Sequence, residues 1–146
     1  IVELLDAMQQ KKEKDYQAVM DQDGNVLDML MANFKRLRSH SMDKHLAFGF
    51  DLEKFYPELW HERQGMMRDL DKKHTMQMLQ KGIDQGMYRS DLDVEATSLL
   101  CSHMIESVFR NLTMMSVAQR VDYVLDMLVR MICSEAGMAY YLQKKN

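Results

Sequence analysis

A few short constellations in this sequence carry residue types that could do chemistry. Glu58-Leu59-Trp60-His61 has the Glu-x-x-His spacing with which helical bundles hold two-metal centres, and Asp71-Lys72-Lys73-His74 is the nearest second copy. Such a centre needs the motif on two separate helices. Here both fall in one helical stretch, the second carries Asp in place of Glu, and their offset turns it by about 220° around the axis. The ligands would point apart, so no metal site is expected. In Cys101-Ser102-His103 the outer residues diverge by about 200° on a helix, which leaves Cys101 as a buried structural thiol. The sequence contains no H-E-x-x-H zinc motif, no G-x-S-x-G nucleophile elbow and no phosphate-cradling glycine loop. The expectation is a protein that is not an enzyme and needs no cofactor.

A ligand cavity between helices is the better candidate, because such pockets are mostly apolar with a few placed polar groups. Trp60, Met67, Leu70, His74 and Met78 run along one side of a long helical stretch, and His74 interrupts the stripe. If it lines a cavity, His74 can donate or accept one orienting hydrogen bond. Phe34, Phe48, Phe55, Met104 and Phe109 are the aromatic and soft residues expected to complete the walls. Taken singly, each also suits an ordinary core. The chain has 16 methionines, whose flexible thioethers either fill irregular core gaps or let a pocket accept several apolar shapes.

These residues must be positioned by helices. Apolar positions recur at helical spacing nearly everywhere, no stretch alternates like a strand, and no repeat occurs. A first helix is expected from Ile1 to about Met20, with Ile1, Leu4, Leu5 and Met8 on one stripe and the charged stretch from Lys11 to Asp15 on a solvated face. Asp23-Gly24 supplies a turn and Asn25 caps a second helix, Val26 to about Arg38, with Asp28 three positions on. A third helix covers about Asp43 to Phe55, and Pro57 ends it and opens a fourth that runs to about Gln85. Gly86 is placed for a left-handed C-cap. Asp93 caps a fifth helix, Val94 to about Leu112, and a sixth covers Val117 to about Cys133. A tail helix continues from Glu135 to Leu142. The expected fold is an all-α antiparallel bundle of about six helices, forming one domain over residues 1–146.

The fifth and sixth helices are too apolar for a single neighbour. The apolar arc of the fifth spans about 180°, against roughly 100° for an ordinary surface helix. Either both are central in the monomer, or their outer faces pair with a second subunit into a four-helix interface. On the second reading Val94, Thr97, Cys101, Ile105, Val108, Val121, Val124, Leu128 and Ile132 form a homodimer interface.

Composition removes other classes. The 146 residues are 47% hydrophobic and 28% charged, neither disordered nor fibrous. The net charge of −3 argues against a nucleic-acid surface, and Lys35, Arg36 and Arg38 are the nearest thing to a basic patch. No apolar run can span a bilayer, so no membrane partner is expected. Two cysteines make no disulfide framework, which suits a cytoplasmic setting.

Three stretches resemble a known family. Phe50-Asp51-Leu52-Glu53-Lys54-Phe55-Tyr56-Pro57-Glu58-Leu59 resembles a segment common in the regulatory domains of TetR-family transcription regulators. Lys81-Gly82-Ile83-Asp84-Gln85-Gly86-Met87-Tyr88-Arg89-Ser90-Asp91-Leu92-Asp93 is similar to the family's G-I-x-x-G-x-[FY]-R-x-D-[LV]-D connection into the penultimate helix region. Val129-Arg130-Met131-Ile132-Cys133-Ser134-Glu135-Ala136-Gly137 resembles the way many members end. The resemblance implies a dimerising, effector-sensing C-terminal domain of a TetR-like repressor that takes a small apolar or amphipathic effector. Ile1-Val2-Glu3-Leu4-Leu5 looks like the start of the family's connecting helix, so DNA would be bound only through an N-terminal helix-turn-helix domain of a longer parent protein. The alternative is a helical protein-interaction domain with a filled core and no small-molecule ligand.

Overall fold

The computed structural model describes residues 1–39, 51–109 and 115–146. They form helices α1 (Val2–Asp21) and α2 (Val26–Arg38), a short helical stretch α3 (51–55), then α4 (Pro57–Asp84), α5 (Val94–Ser107), α6 (Val117–Ile132) and α7 (Glu135–Lys145). Among the described residues there is no strand, and the all-α bundle expected from the periodicity is borne out. The expected boundaries differ in two places. Helix α5 stops at Ser107, and Leu112 lies outside the described residues. The tail helix α7 runs three residues past Leu142 to Lys145. Of the third expected helix, only 51–55 lies within the described residues.

Local sequence sets the ends of these helices. Asn25 accepts from the Leu27 backbone N–H at 2.8 Å, and Asp93 accepts from that of Ala96 at 2.8 Å. Asp28, three positions after Asn25, accepts instead from the Tyr140 hydroxyl at 2.7 Å and ties α2 to α7. Ser116 and Gln119 make a reciprocal capping box at the start of α6. At the end of α4, Gly86 adopts a left-handed φ of 75°. The Met87 N–H then reaches back to the Gly82 carbonyl at 2.9 Å and the Gly86 N–H to that of Ile83 at 3.0 Å, satisfying carbonyls that the helix end leaves free.

Two junctions are stitched together beyond the helices. The Arg89 N–H donates to the Ile132 carbonyl and the Ser134 N–H to the Met87 carbonyl, both at 2.9 Å, so the connection after α4 lies against the α6–α7 joint. At the other end of the chain, Gln85 accepts from the Val26 N–H at 3.0 Å and donates to the Gly24 carbonyl at 2.7 Å. Lys81 Nζ donates to the Gln22 carbonyl at 2.6 Å. The α1–α2 turn is thereby clamped to the last turn of α4.

The main core gathers Val26, Leu27, Leu79, Tyr88, Cys101, Leu128, Val129, Ile132, Cys133 and Tyr141. A second cluster of Phe34, Val108 and Val121 sits further along α2, α5 and α6. Helix α4 enters the core only in its final turns, where Leu79 and Gly82 are buried. Its earlier turns pack on α1 through polar pairs: Arg63 with Asp6 at 2.5 Å and Lys12 with Asp71 at 2.8 Å. The stripe expected along α1 is mostly solvent-facing, since Leu5 is buried while Ile1, Val2 and Leu4 are about half exposed. Among the described residues, no helix is long and apolar enough to cross a membrane.

Candidate ligand cavity

A cavity of about 110 Å³ lies where α2, α4, α5 and α6 converge. Helix α2 contributes Val26, Leu30 and Asn33, and α4 contributes His74, Thr75, Met78 and Leu79. Tyr88 closes one side from the connection after α4, and α5 and α6 supply Cys101, Ile105, Leu128 and Ile132. A shallow depression over the α1–α2 turn, bounded by Gln22, Gly24, Lys81 and Gln85, has more volume but faces solvent. Its polar groups are engaged in the clamp just described, so it holds the turn rather than a ligand.

His74 is the wall residue with the most specific surroundings. Its ring lies flat on that of Tyr16 from α1, with centroids 3.8 Å apart and planes within 3°. The Tyr16 hydroxyl donates to Asp71, which also holds Lys12. Burial and that hydrogen bond push the Tyr16 phenol well above its ordinary range. Burial lowers the pKa of His74, and Lys12 acts in the same direction, against the opposing pull of Asp71. The imidazole is therefore held toward its neutral form. Its Nδ1 is shut off from solvent and has no hydrogen-bond partner, an uncommon condition for a buried polar atom.

The thiols on this side of the bundle are inert in character. Cys101 is pushed up to about 11 by burial, and Cys133 likewise to about 11. Both are free cysteines. Among the described residues no three His, Cys, Asp or Glu side chains converge to hold a metal ion.

Comparison with protein-family models, with curated proteins and with solved structures finds no match to this chain.

Of the ligand residues expected from sequence, His74 and Met78 line the cavity. Phe34 is buried in the second cluster instead, with 2% of its surface exposed. Phe55 is 65% exposed and forms no wall, because α3 ends at the surface beside Pro57. Trp60, Met67 and Leu70 are half-buried but belong to the part of α4 that runs along α1, away from the cavity. Met104 packs on the main core and Phe109 is half-buried, neither reaching the cavity. Phe48 lies outside the described residues.

The residues expected to form a dimer interface lie largely within the packing of one chain. Cys101, Ile105, Leu128 and Ile132 face the cavity within one chain. Thr97, Val108 and Val121 are buried in the same chain, and Val94 and Val124 are half-buried against its two core clusters. Their arc is the inward one, since α4 and α2 already cover it. The apolar residues that α5 and α6 leave outside are Leu99, Leu100, Val117 and Tyr123, between 45% and 58% exposed.

Sequence reasoning missed Asn33, Thr75 and Tyr88 as wall residues. Asn33 falls one turn after Leu30 on the inward stripe of α2, a polar residue at an apolar position, and that signal was available. Thr75 had only its adjacency to His74. Nothing local marks Tyr88 as a wall, because its place depends on the pairing of two distant connections.

Proposed function

We propose that this chain is the effector-sensing and dimerisation domain of a TetR-like transcription regulator. In this reading, occupancy of the cavity is passed to α1. One observation carries it: His74 belongs to the cavity wall and is also stacked on Tyr16 of α1. A molecule that engages His74 changes what α1 rests on. An occupant that prefers one arrangement of the helices shifts the population toward it, and α1 is the element that resembles the family's link to its DNA-reading unit. Paired half-sites on DNA lie about 34–36 Å apart, so a small change in α1 spoils the fit. Coupling of roughly 1–3 kcal/mol is ordinary for linked sites.

Pairing of two subunits would use the outer faces of α5 and α6, where Leu99, Leu100, Val117 and Tyr123 stand exposed. Light scattering coupled to size exclusion, at two protein concentrations, tests this. A species of twice the chain mass that falls to single mass in a Leu99→Asp/Leu100→Asp variant supports the pairing. A monomer at both concentrations removes it.

The second reading is a helical interaction domain with a filled core and no small-molecule ligand. The size of the cavity favours it, because about 110 Å³ is below the roughly 300–1,000 Å³ of most ligand pockets. A saturable signal from an environment-sensitive apolar dye, competed by small apolar molecules, decides for sensing; its absence decides for the interaction domain.

A further inference from the structure

Helix α1 rests on α4 with little apolar burial. Of its 20 residues only Leu5 is buried. Asp6 pairs with Arg63 at 2.5 Å, Lys12 pairs with Asp71 at 2.8 Å, and Lys81 Nζ donates to the Gln22 carbonyl. Part-exposed ion pairs are each worth little, and an element with few buried apolar contacts opens before the core does. The contact of a different kind is the stack of Tyr16 on His74, with centroids 3.8 Å apart and planes within 3°.

That stack suits a neutral imidazole. An imidazolium carries a proton on both ring nitrogens. On His74 one of them would sit on Nδ1, which is closed to solvent and has no hydrogen-bond partner. A bare acceptor in such a place costs less than an unmet donor on a charged ring. Tyr16 covers one face of the ring, so water cannot hydrate the charge from that side. Cation–π attraction to Tyr16 is opposed by Lys12, which already lies over the same phenol ring, 5.6 Å from its centroid. The nearby carboxylate, Asp71, is engaged by both Lys12 and the Tyr16 hydroxyl. On the cavity side, α2 and α6 place no titratable group on the wall. Helix α5 places the Cys101 thiol there and the connection after α4 the Tyr88 phenol, both raised by burial and so neutral. Burial lowers the pKa of His74, Asp71 pulls it back and Lys12 lowers it further.

We propose that His74 is a proton-operated latch on α1. With a neutral imidazole under Tyr16, α1 lies on α4; protonation of the ring releases α1 while the main core stays folded. Once α1 lifts, Tyr16 no longer covers the ring and water reaches the charge. The released arrangement therefore takes up the proton at a higher pH than the docked one. Docking is full above about pH 6.5 and is lost as pH falls below it. The latch needs no occupant in the cavity, so it stands or falls apart from the sensing reading.

Hydrogen exchange followed by mass spectrometry, corrected for the intrinsic pH dependence of exchange, reads α1 and α6 separately from pH 7.5 to pH 5.5. Wild type is compared with His74→Phe, which keeps a flat ring for Tyr16 but takes no proton. In wild type, α1 protection is expected to fall severalfold, to a limit of about tenfold, while α6 protection holds. In His74→Phe both hold. Unchanged α1 protection in wild type overturns the latch. An equal fall in His74→Phe places the titration elsewhere and overturns it too, and so does loss from α6 alongside α1, which marks global unfolding. Should His74→Phe fail to fold, imidazole proton NMR of the wild-type chain decides: the fall in α1 protection must share the titration midpoint of His74, and separate midpoints refute the proposal.

Discussion

Gly65 and Gly82 sit in the same helix, and replacing each with alanine should move stability in opposite directions. Both changes gain helix propensity, roughly 1 kcal/mol at an interior position. At Gly65 nothing lies within 4 Å of the added Cβ, so the gain is realised. At Gly82 the new Cβ would fall 2.0 Å from Cδ2 of Tyr88, whereas ordinary contact begins at 3.4 Å. The ring must therefore shift by about 1.4 Å (3.4 − 2.0). Tyr88 is only 5% exposed and lies in the main core, so its neighbours must repack. Overpacking of this kind costs about 1–3 kcal/mol, and losing an aromatic side chain's packing outright costs about 3–5 kcal/mol. We take about 3 kcal/mol, the value where the two ranges meet, which leaves Gly82→Ala destabilised by about 2 kcal/mol after the propensity gain. At about 2–4 °C per kcal/mol, far-UV circular dichroism melts should give a Tm raised by about 3 °C for Gly65→Ala and lowered by about 6 °C for Gly82→Ala. Because Tyr88 also walls the cavity, Gly82→Ala should weaken uptake of the apolar dye while Gly65→Ala leaves it unchanged. A Gly82→Ala protein as stabilised as Gly65→Ala would refute the placement of Tyr88 on Gly82, and with it one side of the cavity.

Three further outcomes are expected. Burial holds the folded-state pKa of His74 below its unfolded value, with Asp71, Lys12 and the Tyr16 hydroxyl as its charged and titratable neighbours. The unfolded chain then takes up the proton first. This contribution to stability is present above about pH 6.5 and is lost as pH falls through that value toward the folded one. The wild-type melting temperature should therefore drop more between pH 7.5 and pH 5.5 than that of His74→Leu; equal drops would show that His74 is not desolvated. Cys101 and Cys133, buried and each raised to about 11, should resist an aromatic disulfide reagent at neutral pH and react together in denaturant, and rapid native labelling of either would contradict the packing. Gln85→Ala removes the bonds to the Val26 N–H and the Gly24 carbonyl and should cost about 1–2 kcal/mol in urea unfolding, whereas a loss near zero would mean the clamp on the α1–α2 turn carries no stability.

Much of the fold was legible because its signals are local. Asn25, Asp93 and Gly86 act where the chain needs them, since a cap or a left-handed turn depends on a few neighbouring residues. Asp28 shows the limit of such reasoning. It follows a helix cap at favourable spacing, but its carboxylate is taken by Tyr140, which lies far along the chain. Likewise, the stripe from Trp60 to Met78 is continuous on a helical wheel. The cavity is lined from the later part of α4, so His74 and Met78 reach it and Trp60, Met67 and Leu70 do not.

The broad apolar arcs of α5 and α6 draw the same line for the candidate site. A period of 3.6 residues reports how wide an apolar face is, but it carries no information on what covers each part of it. The sequence by itself determined that these segments are helices, where most of them start and stop, and that the pair carries more apolar surface than one neighbour can bury. The tertiary structure decided that Cys101, Val108, Val121 and Leu128 turn inward, that Leu99, Leu100 and Tyr123 stay outside, and that Tyr88 closes the cavity. Those choices depend on helices distant in sequence competing for the same face, and on the bridge between Tyr88 and Cys133. Packing of that kind is a property of the assembled bundle, and no single segment encodes it.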